Sequence, residues 1–410
     1  MNVSPLLSII IPTKNRQYTA VFTVDSVLCI DSKNLEVIVQ DCSDNDSLGQ
    51  ILKSKYGNDA RLKYFHTHQK PSMNENWSTA IFNTNGKLIY GIGDDDAVLP
   101  AIIDIAEWMD YKNIEAVIPL KVQYFWKDAY IGTFSNKRMT LPSNFTGKIY
   151  EIDLDKEYNR KLRSCGFGYT SNLPNIYHGF ISKRILEMIK TKTGNYFNGT
   201  SLDVYSAFTT SMFLDHLYYI EYPISIWGAC GLSNSNKLVS KKSIEHFKEF
   251  TNYKRIESLP NAFNAEVSVA ETTMQALKDI QKSELIPTMD LSLVYAKCAS
   301  FEPSKLFSFY KDYKVHKNPG NTDMNYFKAF HKFMKRKIKE RIVNIITKLL
   351  FPILPNAQYH VERITGNKKP ICIDISECIE YIKAYETKNN LKIQFDSEIT
   401  VLQTPKEIWE

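Results

Sequence analysis

The sequence predicts an α/β fold built on a mostly parallel central sheet, followed by a helical C-terminal extension. Three observations carry this. Short apolar runs alternate with stretches of helical spacing through the first 120 residues, the pattern of β-α-β units. Those runs are nearly continuous and lack a period of two, as in strands buried on both faces. Beyond residue 240 helical spacing dominates. With 43% hydrophobic and 23% charged residues over 410 positions, the chain has apolar mass for a sizeable core and length for more than one domain. Gly and Pro, 16 each, are too few for a collagen-like or low-complexity chain.

Leu6 to Ile11, between Pro5 and Pro12, reads as the first buried strand. No basic residue precedes it, so it is not read as a signal peptide. Thr19 to Cys29 has helical spacing, Leu35 to Val39 is a second strand, and Ile51-Leu52 lie on a second helix ending near Gly57. A short strand at Leu62–Phe65 precedes a helix through Asn76–Phe82, punctuated by Gly86. Leu88–Ile92 is the fourth strand, Ala101–Met109 a helix and Ala116–Leu120 the fifth strand. After an irregular aromatic stretch, Ile181–Ile189 and Leu202–Phe213 read as helices and Tyr218–Trp227 as a strand. The small-residue loop Gly228–Asn236 closes the first domain, at 1–235. A helical extension (236–324), a basic amphipathic helix (325–351) and a tail of mixed signals (352–410) follow.

Polar clusters end strands one, two and four. Gly93-Asp94-Asp95-Asp96 directly follows strand four. Ligands of open α/β sheets bind at the carboxyl ends of the strands, and three adjacent carboxylates repel one another unless a cation sits among them. Mg²⁺ or Mn²⁺, held by one or two carboxylates and a substrate diphosphate, suits such a site; a solvated acidic turn before the next helix is the plainer reading. Pro12-Thr13-Lys14-Asn15-Arg16 and Gln40-Asp41-Cys42-Ser43 follow strands one and two. Gly91-Ile92-Gly93 is only a partial dinucleotide motif, with Asp96 where a third Gly would fall, and no phosphate-binding P-loop occurs.

With these pieces in this order and spacing, and with Asn74-Glu75-Asn76-Trp77-Ser78-Thr79-Ala80 between them, residues 5–235 resemble the family 2 glycosyltransferases of the GT-A fold. The resemblance implies that Pro12, Thr13, Arg16 and Asp41 contact the nucleotide together with Asp94 and Asp95. It also implies that the Asp cluster is a D-x-D element in which Asp94 and Asp96 bind Mn²⁺ or Mg²⁺. Gln40 and Cys42 depart from the family's usual residues. A catalytic base is implied at a helix start, and Asp203, in Gly199-Thr200-Ser201-Leu202-Asp203, fits best. An inverting transfer needs it, because the acceptor hydroxyl loses a proton as it attacks; an ordinary helix N-terminal acid is the alternative. His178 is read as a structural histidine or a lining of the acceptor pocket, and Gly228–Asn236 as a connector or a loop closing over the nucleotide.

The implied activity is transfer of a sugar from a nucleotide donor, a UDP-sugar first among them, to a glycan or lipid-linked acceptor in surface polysaccharide synthesis. A nucleotidyltransferase and a non-catalytic glycan-binding scaffold are the alternatives. Seven scattered Cys without a C-x-x-C pair fit a reducing cytoplasm and neither a disulfide framework nor a zinc site. No apolar run reaches the ~18 residues that span a bilayer. Between Asn325 and Phe351 stand eight Lys/Arg and one acid, a charge of +7 where the whole chain carries +6. The basic excess is local, which argues against nucleic acid as a partner. This amphipathic helix suits the surface of an anionic membrane or, alternatively, packing on the core with a solvated basic face.

Overall fold

The computed structural model describes residues 4–129, 137–167, 172–233, 256–262, 264–350 and 370–402. The first half follows the expected alternation: β1 (Leu7–Thr13), α1 (Gln17–Leu28), β2 (Leu35–Asp41), α2 (Ser47–Tyr56), β3 (Leu62–His66), α3 (Met73–Phe82), β4 (Leu88–Gly91), the two-residue β5 (Ala97–Val98), α4 (Ile102–Lys112) and β6 (Ala116–Phe125). Then come β7 (Met139–Thr140), β8 (Ile149–Ile152), α5 (Leu154–Arg163), β9 (Phe180–Ser182), α6 (Lys183–Thr193), α7 (Leu202–Ser211) and β10 (Leu217–Ala229). The extension contributes α8 (Ala265–Asp279), α9 (Leu291–Phe301), α10 (Leu306–His316) and α11 (Asp323–Leu350); α12 (Ile375–Asn389) and β11 (Thr400–Val401) close the chain.

One sheet runs in the order β11-β8-β10-β6-β9-β4-β1-β2-β3. β3, β2, β1 and β4 are mutually parallel, and β9 is antiparallel to both its neighbours, β4 and β6. β6 and β10 are parallel to each other and so run the same way as β1. The mostly parallel sheet expected from sequence is therefore present among its longer strands, with the reversed β9 inserted at its centre and β8, β11 and the two-residue β5 and β7 also running the other way.

The continuous apolar runs have the cause inferred for them. In β1, Leu7, Ile9 and Ile11 enter one core, and Ile10 the opposite one. Val37 and Val39 divide from Ile38 in the same way, as do Leu88 and Tyr90 from Ile89. Helices α1, α2 and α4 cover the first face; α3, α5, α6 and α7 cover the second. The extension shares that second core, since α8, α9, α10 and the first turns of α11 bury side chains in it. The expected boundary at 235–236 lies outside the described residues.

Three expectations need correction. The helix expected over Ile181–Ile189 begins at Lys183, because Phe180–Ser182 is a strand between β4 and β6. The fifth strand does not stop at Leu120 but runs on through Lys121 to Phe125. The apolar stripe of α11 is not one face in one environment. Tyr326 and Ala329 are buried and Phe330 and Phe333 pack on the core, whereas Ile338, Ile342 and Ile345 are exposed.

The tail returns to the sheet. Cys372, Ile375, Cys378 and Ile382 are buried against Val122, Tyr124 and Ile226 of β6 and β10, and β11 pairs with β8. Ile382→Asp should therefore cost about 3 kcal/mol or more, by placing an unpaired charge in an apolar contact. A urea titration unchanged from wild type would show that the tail is dispensable for folding.

Candidate functional site

The site forms where β1 and β4 end side by side. After β4 the chain turns tightly through Gly93–Asp96, with the Asp96 amide 3.4 Å from the Gly93 carbonyl. After β1, Asn15 takes a left-handed conformation (φ 56°). Its amide donates to Ser43 Oγ at 2.7 Å and its side chain exchanges hydrogen bonds with Asp44, which ties the ends of β1 and β2 together. Arg16 follows, at the threshold of α1.

Asp94, Asp95 and Asp96 are all buried, which overturns the plainer reading of a solvated acidic turn. Asp94 Oδ2 accepts from Thr13 Oγ1 at 2.6 Å. Its Oδ1 takes no hydrogen bond and lies 3.0 Å from the Arg16 guanidinium. Asp95 Oδ2 accepts from the Cys230 amide at 3.1 Å and from Ser233 Oγ, while its Oδ1 faces Arg16 at 3.6 Å. Asp96 is used differently, with both oxygens taken up. Oδ1 accepts from the Gly228 amide at 2.7 Å; Oδ2 accepts from the Gly93 amide at 2.6 Å and Tyr177 Oη at 2.9 Å, and lies 3.1 Å from His178 Nε2. Gly228 is required here, since a Cβ would stand 1.7 Å from the Asp95 carbonyl oxygen.

Burial pushes the Asp94 carboxyl up to about 7 against the pull of Arg16, and raises Asp95 as well. For Asp96 burial acts in the same sense, but His178 and the Gly228 and Gly93 amides outweigh it and hold the carboxyl below its usual range. Burial favours the neutral ring of His178. Its Nδ1 stands 2.8 Å from Ser225 Oγ, which accepts from Tyr90 Oη at 2.9 Å. His178 is therefore a buried structural partner of Asp96. It occupies the left-handed region (φ 60°), with its amide bonded to the Gly91 carbonyl at 2.8 Å.

The donor set can be tested against a divalent cation. Among the described residues no group of three or more His, Cys, Asp or Glu converges as a ready-made cage. Asp94 Oδ1, however, takes no hydrogen bond from the described residues, and both it and Asp95 Oδ1 face the Arg16 head. Two carboxylate oxygens completed by water and phosphate suit Mg²⁺ or Mn²⁺. The residues fit through Asp94 and Asp95; Asp96 has no oxygen left for a metal.

Of the other residues read from sequence, Pro12 and Asp41 are buried. Asp41 accepts from the Ser43 amide at 2.8 Å and from Tyr64 Oη at 2.9 Å, at the end of β2. Asp203 is half-buried in the first turn of α7, with Oδ1 accepting from Ser201 Oγ at 2.6 Å. Of the loop at 228–236, the described part up to Ser233 closes on Asp95 and Asp96; 234–236 lie outside the described residues.

Lys121 was missed in the sequence. It lies on β6 with its ammonium 5.9 Å from the centre of the Tyr177 ring. Burial lowers it to about 8, while Asp96 and Asp203 both pull it upward. It thus links the acid cluster electrostatically to Asp203. A lone Lys inside the apolar run AVIPLKVQYF was the available signal.

The family model described as Glycosyl transferase family 2 matches residues 8–171. A β-1,3-glucosyltransferase of Campylobacter jejuni, named for the acceptor GalNAc(5)-diNAcBac-PP-undecaprenol, is 32% identical over 162 residues, 38% of this chain and 47% of that protein. A relative from Escherichia coli K12, named for colanic acid biosynthesis, is 38% identical over 102 residues, 24% of this chain and 36% of that protein. The chain spans less than half the length of these curated relatives. Staphylococcus aureus TarS residues 1–349, solved with UDP-GlcNAc, is 13% identical with a TM-score of 0.46, covering 82% of this chain and 92% of that one.

Asp96→Ala should lower the unfolding free energy by about 3 kcal/mol, because it strands two buried amides and the Tyr177 hydroxyl. An unshifted denaturant midpoint would show that the cluster does not depend on Asp96.

Proposed function

We propose, from the match of residues 8–171 to the family model described as Glycosyl transferase family 2, that the chain transfers a sugar from a nucleotide donor to a glycan or lipid-linked acceptor. The observation that carries this is the convergence of Thr13, Arg16, Asp94 and Asp95 at the carboxyl ends of β1 and β4, within the matched segment. The Campylobacter relative's undecaprenol-linked acceptor supports the acceptor class. UDP-sugars are the donors to test first.

In the proposed reaction the acceptor oxygen attacks the anomeric carbon from one side as the bond to the nucleoside diphosphate breaks on the other, inverting that centre. Asp203 takes the proton. Ser201 already occupies its Oδ1, so the second oxygen is the one assigned to the acceptor. Arg16, held charged by Asp94 and Asp95 despite its burial, faces the leaving diphosphate, and Thr13 fixes the Asp94 carboxylate. Pro12 and Asp41 shape the nucleoside end, Asp41 being locked by Ser43 and Tyr64. Mn²⁺ or Mg²⁺, when bound, would be held by Asp94 and Asp95 and would neutralise diphosphate charge.

The finer location proposed is the cytoplasmic face of a membrane. No helix among the described residues is long and apolar enough to cross one. The support is the outer part of α11, where exposed Ile338, Ile342 and Ile345 lie among exposed Lys335, Arg336, Lys339 and Arg341. Each basic residue near an anionic surface contributes ~1 kcal/mol.

Asp203→Asn should keep donor binding and reduce turnover by roughly 10²–10⁴-fold, measured as UDP-sugar hydrolysis and transfer with Mn²⁺. Weakened donor affinity with an unchanged rate in bound enzyme would make Asp203 a binding residue. Separately, the protein should sediment with phosphatidylglycerol liposomes at low salt and detach as salt rises. Substituting Lys335, Arg336 and Lys339 by Gln should release it, and wild type that ignores the liposomes refutes the membrane assignment.

A further inference from the structure

The loop that presents Asp203 is held from outside the family-matched segment. It runs Asn198-Gly199-Thr200-Ser201 into α7, and a polar stripe on α8 grips it. The Thr200 and Ser201 amides both donate to Thr272 Oγ1, at 3.0 and 3.2 Å. Thr200 Oγ1 lies 2.5 Å from Ser268 Oγ and 3.2 Å from Glu271 Oε2. Further along α8, Asp279 accepts from Asn198 Nδ2 at 3.0 Å and Tyr205 Oη at 2.9 Å. Glu271, Thr272 and Asp279 stand three, four and eleven residues after Ser268, which places them on one helix face. From the other side Asn74 Nδ2 donates to the Gly199 carbonyl at 2.8 Å. Gly199 is left-handed (φ 78°), and a Cβ there would stand 2.8 Å from Thr272 Oγ1. The contact is a close fit.

Within this grip Glu271 has no apolar or ion-pair explanation. It is buried, 4% exposed, and among the described residues no cation forms an ion pair with it. A carboxyl in that position costs stability unless its hydrogen bonds do something. The shorter of those bonds comes from Thr200, the residue three before Asp203, and the longer from Thr272 on its own helix.

We propose that Glu271 is a positioning residue for sugar transfer, setting through Thr200 the loop that aims Asp203, so that α8 completes the acceptor side of the site. This rests on the reading of Asp203 as the base. Burial pushes the Glu271 carboxyl up to about 7. The hydrogen bonds from Thr200 and Thr272 act the other way, as does Lys278, the charged group that acts on it from its own helix; Thr200 is what faces it from the loop. The ionised carboxylate accepts from Thr200 more strongly than the neutral acid does, so the loop is held most firmly above pH 7. The stability sign is opposite. The folded value lies above the ordinary 4.5, so the folded state binds the extra proton, and stability is lost as pH rises from about 4.5 through about 7.

Glu271→Gln keeps the shape and fixes the neutral state. In wild type, amide exchange at 199–203, corrected for the intrinsic rate, should slow between pH 6 and 8. In Glu271→Gln it should show no such change, and the variant should melt higher than wild type at pH 8. Hydrolysis of UDP-glucose or UDP-N-acetylglucosamine should lose the limb near pH 7, with kcat about tenfold lower at pH 8 and donor KM unchanged. Wild-type exchange at 199–203 across this range in Glu271→Gln overturns the proposal, as does a loosened loop with wild-type kcat. Asp203→Asn, measured beside it, separates the two readings: full turnover there removes the base assignment, whereas the grip is read by exchange.

Discussion

Three adjacent carboxylates without access to bulk water are the constraint around which this chain is arranged. Removing an ion from water costs several kcal/mol even after relaxation, so Asp94, Asp95 and Asp96 require compensation from the protein itself. It comes from four separate places: Thr13 at the end of β1 with Arg16 beyond it, Tyr177 and His178 before β9, the turn at Gly93, and the stretch from Gly228 at the end of β10 to Ser233. The reversed strand β9 has its explanation here. Inserted beside β4, it brings Tyr177 and His178 next to Gly91, where the His178 amide bonds to the Gly91 carbonyl.

The parts of the fold visible in the sequence are those whose cause is local. Strands buried on both faces must be apolar throughout, so β1, β2 and β4 stand out as runs. What was hidden depended on partners far along the chain. Phe180 and Ile181 are apolar residues directly before a helix, and only pairing with residues 88–90 and 116–117 makes them a strand. Lys121 looked like a strand end because a charge interrupts the run. The acid cluster was legible as a cluster, but its burial was not, because the donors that make burial tolerable lie about 80 to 140 residues away in sequence. Likewise nothing near Asp203 announces Glu271, whose role depends on α8 packing against the loop at 199–201.

The cluster is also divided in use. Asp96 is surrounded by donors and stays ionised as a fixed anchor. Asp94 and Asp95 each turn one oxygen toward the Arg16 guanidinium, and both are pushed toward the neutral acid. Groups whose environments push their proton affinities apart take different roles. The anchored acid holds the geometry; the two under-compensated ones leave a deficit of positive charge at the cleft. Lys121 lies within electrostatic reach of both the anchor and Asp203, so the acid cluster and Asp203 share one charge balance.

The chain beyond the matched segment follows the same logic of unlike environments along one element. The polar stripe of α8 faces the loop before α7, while Val267, Ala270, Met274 and Leu277 of the same helix enter the core. On α11, Tyr326 and Ala329 are fastened to that core, and roughly two and a half to four and a half turns later Ile338, Ile342 and Ile345 stand exposed among cations. A helix of 28 residues gains little from an apolar stripe in water, since burial supplies most helical stability in proteins. The membrane location proposed for its outer turns would give them a second apolar phase, and the cations beside them match an anionic one. Because the inner turns share a core with α7, a surface that takes the outer turns would fix the orientation of the cleft relative to itself, a geometry suited to an acceptor carried in that surface.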